Sequence, residues 1–215
     1  MIVLGLTGSI GMGKTTAAAA LRGLGLPVFD ADRVVHRLLA PGGAAVAPVA
    51  AAFESVRAAA GGIDRALLGR RVFGDRQALS RLERIVHPLV EAEEKRFLTH
   101  ASARRTAIAV LDIPLLFETG AERRCDCVLV VSAPAWLQRR RVLRRPGMSE
   151  ERLRAVLRQQ MPDREKRRRA DFVVSTGLSR SHALRRLQAM ARCLRGGGPQ
   201  IRRRRRIVNE PRRRH

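Results

Sequence analysis

The sequence has few of the residues that build disulfide frameworks or base-stacking surfaces, and it lacks the long apolar runs of membrane spans. Among its 215 residues there are 3 cysteines, 1 tryptophan and no tyrosine. Cys125, Cys127 and Cys193 are odd in number and fit no zinc spacing, so we expect no disulfide framework and a reducing, cytoplasmic location. No apolar run approaches the roughly 18 residues of a membrane helix, and we expect no membrane span.

Positive charge, by contrast, is abundant, with a formal net charge of +24. One explanation is a polyanionic partner such as nucleic acid or anionic lipid. We favour a compositional cause: apart from Lys14, Lys95 and Lys166 the cationic side chains are arginines, and alanine is frequent, as in GC-rich genomes. The scarcity of aromatics argues against a specific nucleic-acid partner. Weak nucleic-acid binding by the basic, arginine-rich tail at 199–215 stays open.

Short apolar runs alternate with helical patterns along most of the chain. Strands are predicted over 2–6, 26–29, 106–111, 128–132 and 172–175, and helices over 14–24, 31–39, 134–145, from 150 onward and over 181–194. This alternation predicts an α/β fold, a parallel sheet with helices on both faces. Residues 44–103 contain no convincing strand. They are expected to form a helical insertion in which Pro88, after His87, opens a new helix.

Residues 8–15 match the phosphate-loop pattern G-x-x-x-x-G-K-[ST] in full, between a predicted strand and an alanine-rich helix. Its glycines let the backbone bend, so that successive N–H groups and the helix N-terminus face a phosphate chain. Lys14 is expected to bridge the β- and γ-phosphates of ATP, Thr15 to coordinate Mg²⁺, and Thr16 to contact a neighbouring phosphate. The predicted ATP-binding residues here are Gly11, Met12, Gly13, Lys14, Thr15 and Thr16. The loop leaves the acceptor open, because ATPases, GTPases and small-molecule kinases share it.

Two aspartates, Asp30 and Asp32, follow the second predicted strand. The carboxyl ends of parallel strands face the ligand crevice of an open α/β sheet. A carboxylate there can accept the proton of an attacking hydroxyl in phosphoryl transfer. The alternative is that both aspartates only cap the next helix, which explains Asp30 well and Asp32 less well.

Together with the phosphate loop, this pair and later motifs resemble dephospho-coenzyme A kinases over roughly residues 1–195. The matching segments are 5–14, 28–32, 87–89 (His-Pro-Leu), 112–118 (Asp-Ile-Pro-Leu-Leu-Phe-Glu), Gln138 with Arg141 and Arg145, Gln160, and 170–174. Each later motif is weak alone, but their order and spacing together are specific. After the last strand, Ser175-Thr176-Gly177 departs from a more usual Asp-Asn-type pair, so no residue is assigned to adenine.

The resemblance implies that ATP phosphorylates the ribose 3′-hydroxyl of dephospho-coenzyme A to give coenzyme A and ADP. It implies a P-loop NTPase-type sheet of five parallel strands in residues 1–198, a helical acceptor-binding insertion at about 44–103 and a small helical lid at about 134–160. Asp32 matches the catalytic base, acting with Lys14. The residues implied to line the acceptor site are Asp32, His87, Pro114, Leu115, Leu116 and Glu118. The alternatives are that His87, before Pro88, is only a helix cap and that the apolar segment 114–117 is only core. The alternative is a P-loop kinase for another small nucleoside or nucleotide.

Arg141 and Arg145 match the lid that closes over ATP. Residues four apart in one helix share a face, so both guanidinium groups can reach one phosphate chain. A solvated basic face is the alternative in a chain this rich in arginine. Asp112 ends the third predicted strand, where a carboxylate can assist Mg²⁺.

Overall fold

The computed structural model describes residues 1–197, which fall into two compact units. Within the described residues, the first unit combines Met1–Phe29 with 104–197, and the second is Asp30–Ala103. The tail predicted at 199–215 lies outside the described residues. None of the helices within 1–197 has the length and apolar character that crossing a bilayer requires.

Within residues 1–197, five strands form one sheet: β1 (Ile2–Thr7), β2 (Val28–Asp30), β3 (Ile108–Asp112), β4 (Cys127–Ser132) and β5 (Phe172–Ser175). Their order is β2-β3-β1-β4-β5. β1 pairs in parallel with β3 and β4, and β4 pairs in parallel with β5. The predicted parallel sheet is therefore confirmed, and each predicted strand overlaps an observed one.

The central strands β1, β3 and β4 are buried on both faces. That burial explains why they read as continuous apolar runs rather than alternating patterns. The register places Leu6 of β1 opposite both Asp112 of β3 and Leu129 of β4. Asp112 consequently lies at the sheet edge where β1 ends and the phosphate loop begins.

In chain order, the helices are α1 (Lys14–Gly23), α2 (Ala31–Leu39), α3 (Val46–Ala52), α4 (Arg65–Val72), α5 (Arg76–Ala103), α6 (Ala135–Leu143), α7 (Glu150–Gln159), α8 (Asp163–Arg169) and α9 (Arg180–Arg195). Ser149 caps α7 by accepting a hydrogen bond from the Arg152 N–H. α6 ends at Leu143, two residues before the predicted end at Arg145.

The second unit contains α2 to α5, and α5 packs against the other three. The predicted helix start at His87-Pro88 is wrong, because α5 runs through Pro88 without interruption. An interior proline removes one backbone hydrogen bond and costs about 3 kcal/mol. A strong cap outside the helix and the packing of α5 on its neighbours offset that cost: Asp75 accepts hydrogen bonds from the N–H groups of Gln77 and Ala78.

All three cysteines are free thiols, as expected. Cys127 lies wholly inside the sheet. Burial, followed by the nearby charges of Asp171 and Asp126, raises the pKa of the Cys127 thiol to about 12. This thiol therefore stays neutral at physiological pH, and its place in the fold is that of a small apolar side chain.

Candidate active site

The phosphate loop joins β1 to α1, and its shape depends on glycine. Gly11 and Gly13 have φ angles of 76° and 87°, in the left-handed region that side chains disfavour. A Cβ atom at Gly8 would lie 2.6 Å from a methyl group of Val131. Gly13 is the N-cap of α1, and no side chain of the described residues caps this helix. Its first N–H groups are thus available to an anion.

The Lys14 ammonium group donates a hydrogen bond to Asp112 Oδ1 over 2.8 Å. The Asp112 side chain is only 3 % exposed, so the lysine is held at the end of β3 by a buried carboxylate. Thr15 is exposed in the first turn of α1. The hydroxyl of Thr15 and the carboxylate of Asp112 are oxygen donors of the kind that Mg²⁺ prefers, so these residues fit that ion.

Met12 is committed to contacts within the protein. Its side chain is buried, its sulfur accepts a hydrogen bond from the Ala133 N–H, and its own N–H donates to the Ser9 carbonyl over 3.1 Å. The Met12 carbonyl accepts a hydrogen bond from the Thr176 hydroxyl over 2.7 Å. Its predicted contact with ATP stays a prediction, and the structure adds a role in shaping the loop.

Arg141 lies beside the phosphate loop, whereas Arg145 does not share its helix. The Arg141 guanidinium donates to the Thr176 carbonyl over 2.8 Å and to the Thr176 hydroxyl over 3.1 Å. Arg145 is exposed and follows the end of α6, so the premise of a shared helical face is wrong. The contact of either arginine with ATP stays a prediction.

Three residues that bond to the backbone of the phosphate loop were not predicted from the sequence. Gln138 and Gln160 make hydrogen bonds to the backbone of Ile10, and Thr176 makes one to the Met12 carbonyl. The two glutamines served only as markers of the family resemblance, and Thr176 only as a departure from it. Amide and hydroxyl side chains carry no charge, and their place in a family motif does not indicate which backbone groups they bond.

The segment 114–118 divides between core and surface. Leu116 is fully buried, and a Cβ atom at Gly5 would lie 2.9 Å from it. Leu115, by contrast, is 38 % exposed. The Pro114 carbonyl accepts a hydrogen bond from the Thr7 hydroxyl, which fixes the segment against β1. Leu116 therefore packs in the core, and its predicted contact with the acceptor stays a prediction, whereas the Leu115 side chain is accessible to a ligand.

The Glu118 carboxylate is occupied by protein groups. Its Oε1 lies 2.8 Å from the ammonium group of Lys166, which is fully buried, and accepts a hydrogen bond from the Met161 N–H over 2.7 Å. The contact with Lys166 is an ion pair without the alignment of a hydrogen bond. The predicted contact of Glu118 with the acceptor stays a prediction, and the structure gives this residue an anchoring position.

Replacement of Lys166 by methionine is expected to lower the free energy of unfolding by about 3 kcal/mol, because it leaves the Glu118 charge without its buried partner. We take the low end of the usual range, since the Glu118 side chain is 15 % exposed. Urea unfolding measures the effect. The double variant Lys166→Met/Glu118→Gln should recover most of the loss. If Lys166→Met unfolds at the wild-type urea midpoint, the ion pair contributes nothing.

In the second unit, Asp30 and Asp32 have different environments. Asp30 is the N-cap of α2 and accepts a hydrogen bond from the Arg33 N–H over 3.0 Å, so the capping interpretation is confirmed for it. Asp32 is exposed and lines a cavity of about 480 Å³ within this unit. The other lining residues are Val35, His36, Leu39, Arg65, Leu68, Gly69, Val72 and Leu82.

The cavity lining combines apolar side chains with the polar groups of Asp32, His36 and Arg65. Arg65 and His36 are in side-chain contact with each other. His87 is exposed on α5 and is not among the residues that line this cavity in the described chain. Its role at the acceptor site stays a prediction.

The fold and the loop define the class, a P-loop nucleotide-binding protein. Among solved structures, shikimate kinase from Acinetobacter baumannii shares the fold, with a TM-score of 0.52 and 18 % identity over 92 % of this chain and 94 % of that one. A protein from Thermus thermophilus, TT1252, is more similar: its TM-score is 0.76, with 39 % identity over 89 % of this chain and 96 % of that one.

The dephospho-CoA kinase family model matches residues 2–180, and the chain belongs to that family. A dephospho-CoA kinase from Paramagnetospirillum magneticum is 61 % identical over 93 % of each chain. One from Rhodospirillum rubrum is 54 % identical over 91 % of this chain and 93 % of its own. The dephospho-CoA kinase structure from Campylobacter jejuni has a TM-score of 0.68, with 26 % identity over 91 % of this chain and 98 % of that one.

Proposed function

We propose that this protein transfers the γ-phosphoryl group of ATP to the ribose 3′-hydroxyl of dephospho-CoA, giving coenzyme A and ADP. The observation that carries the proposal is a complete, glycine-shaped phosphate loop with Lys14 held at its end, in a chain of the dephospho-CoA kinase family. A cytoplasmic location and the absence of a specific nucleic-acid partner stay predictions.

The donor half of the reaction belongs to the loop and the start of α1. The N–H groups of residues 13–16 lie at an uncapped helix N-terminus and bind phosphate oxygens. The Lys14 ammonium group moves from Asp112 onto the β- and γ-phosphates and stabilises the charge that develops on them during transfer. Arg141 and Arg145 contribute further positive charge to the bound ATP, in keeping with the sequence prediction.

Thr15 and Asp112 are the residues that would hold Mg²⁺. Both offer oxygen atoms close to the lysine that meets the terminal phosphates. When bound, the ion would supply charge neutralisation on the β- and γ-phosphate oxygens. Asp112 is bonded to Lys14 in this structure, and its carboxylate would be free for the ion once Lys14 binds the phosphates.

The acceptor half centres on Asp32, whose carboxylate takes the proton from the ribose 3′-hydroxyl. A bond forms between that oxygen and the γ-phosphorus while the bond from the γ-phosphorus to the β,γ-bridging oxygen breaks. The cavity beside Asp32 holds part of the acceptor against Leu68 and Val72. Contacts of the acceptor with His87, Pro114, Leu115, Leu116 and Glu118 remain proposals inherited from the family.

The experiment that tests the function is ADP release with ATP and Mg²⁺, comparing dephospho-CoA with adenosine, AMP and pantetheine. Dephospho-CoA alone should stimulate release, and mass spectrometry with phosphorus NMR should identify a 3′-phosphate. Release stimulated equally by a simple nucleoside or nucleotide would favour the alternative acceptor class. No stimulation by dephospho-CoA would overturn the proposal.

The Arg65 guanidinium group lines the Asp32 cavity, and dephospho-CoA carries a diphosphate. We expect Arg65→Ala to raise the KM for dephospho-CoA roughly 10- to 100-fold, the usual loss of a hydrogen bond to a charged group, without changing the KM for ATP. Arg71→Ala is the matched control, since Arg71 is exposed on the same helix and does not line the cavity. Equal effects of both variants would show that Arg65 acts only through net charge.

A further inference from the structure

Two glutamines hold one residue of the phosphate loop from both sides. The Ile10 N–H donates to Gln160 Oε1 over 3.0 Å, and the Ile10 carbonyl accepts from Gln138 Nε2 over 2.8 Å. Gln138 lies on α6, and Gln160 is the C-cap of α7. A backbone N–H can only donate and a carbonyl can only accept, so each amide has one possible orientation.

These hydrogen bonds fix two consecutive peptide planes. A trans peptide is planar, so its carbonyl and its N–H point in opposite directions. When Gln138 holds the Ile10 carbonyl, it turns the Gly11 N–H the other way. When Gln160 holds the Ile10 N–H, it turns the Ser9 carbonyl away, and that carbonyl accepts the Met12 N–H over 3.1 Å.

Thr176 fixes a third plane in the same manner. Its hydroxyl donates to the Met12 carbonyl over 2.7 Å, which turns the Gly13 N–H in the opposite direction. The orientations of the Gly11 and Gly13 N–H groups are thus each set by a side chain outside the loop. Those N–H groups are the donors that a phosphate loop offers at its glycines.

The two glutamines are themselves fixed in position by their surroundings. Gln138 is only 7 % exposed, and α6 lies so close to the loop that a Cβ atom at Gly11 would come within 2.6 Å of a Val142 methyl group. Gln160 is followed by Met161, whose N–H is bound by Glu118, the partner of the buried Lys166. Side chains on such fixed supports lose little further freedom when they hold the backbone.

We propose that Gln138, Gln160 and Thr176 are positioning residues that set the peptide planes of the phosphate loop for ATP. The inference rests on the ATP-binding half of the proposed function and is independent of the acceptor. Residues on α6, after α7 and after β5 thereby keep the loop in a phosphate-binding shape before the nucleotide arrives.

Isosteric variants test the proposal, with ATP affinity measured by calorimetry without any acceptor. Gln138→Met and Gln160→Met remove one hydrogen bond each and should weaken ATP binding about 3- to 10-fold. In turnover assays the KM for ATP should rise by the same factor, while the KM for dephospho-CoA stays unchanged. A purely structural role would instead lower the melting temperature and leave both constants unaltered in the folded protein.

Two glutamate variants separate the effect of the hydrogen bonds on ATP binding from the effect of added negative charge. Gln160→Glu keeps an acceptor for the Ile10 N–H, whereas Gln138→Glu loses the donor and sets a carboxylate against the Ile10 carbonyl. Both variants add one negative charge at the same loop residue, so their difference reports the hydrogen bond. We expect Gln138→Glu to weaken ATP binding at least about 10-fold more than Gln160→Glu.

Thr176→Ser and Thr176→Val provide a second, independent pair should a glutamine variant fail to fold. Serine keeps the hydroxyl and should bind ATP as the wild type does, whereas valine keeps the shape and should bind it less tightly. Equal affinities within both the glutamate pair and the threonine pair would overturn the proposal. If dephospho-CoA failed as a substrate while these differences remained, the acceptor assignment would fall and the positioning role would stand.

Discussion

Replacement of Lys14 by alanine is expected to lower kcat for phosphoryl transfer by roughly 10²- to 10³-fold, the usual cost of one charge-stabilising donor at a reacting centre. Negative charge on the transferring group is redistributed during the reaction, and in this chain Lys14 is the cation held at the loop end by the buried Asp112. ATP binding should weaken less than turnover, because the N–H groups at the start of α1 are retained.

The Lys14 measurement has a natural control in Lys95, which is exposed on α5. Lys95→Ala removes the same charge and should leave kcat within about twofold, since exposed substitutions away from special features have small effects. Because Lys14→Ala takes a cation from a buried carboxylate, the double variant Lys14→Ala/Asp112→Asn should be compared by thermal unfolding. A folded Lys14→Ala protein with wild-type turnover would contradict the proposed role.

Replacement of Asp32 by asparagine is expected to lower kcat by roughly 10²- to 10⁴-fold, the range for loss of a general base. Asparagine has nearly the same shape but cannot take up the proton of the ribose hydroxyl. Asp32 does not cap α2, because Asp30 does so, and the helix should therefore be undisturbed. Calorimetry should find ATP affinity unchanged.

Asp75→Asn is the matched control for Asp32. Asp75 is an exposed carboxylate of the same unit that caps α5, and asparagine caps as well as aspartate does. Turnover of this control should match the wild type. If Asp32→Asn also turns over at the wild-type rate, the proton is accepted elsewhere and the base assignment is wrong.

The sheet and the loop were predictable because local sequence determines them. Strands buried on both faces require unbroken apolar runs, and the left-handed angles at Gly11 and Gly13 require glycine. Asp30 likewise follows from the position of a cap before a helix. In each case the structural requirement is met by residues that are adjacent in the chain, so the local sequence reveals it.

The wrong predictions concern helix boundaries, which depend on packing against distant parts of the chain. Pro88 looked like a helix start, yet packing of α5 on the other helices of its unit carries the helix through it. Arg145 looked like a partner of Arg141 on one face, yet α6 ends before it.

The hydrogen bonds to the backbone of Ile10 show that a position can be variable in a sequence motif and still be fixed in structure. In the loop pattern Ile10 is an x, a position whose side chain is free to vary, yet its backbone is gripped by glutamines 128 and 150 positions away. The eight-residue motif therefore specifies which side chains are needed but determines only part of the loop's backbone conformation. If residues 8–15 were transplanted into another scaffold, the motif would be complete, but the hydrogen bonds that orient three of its peptide planes would be missing.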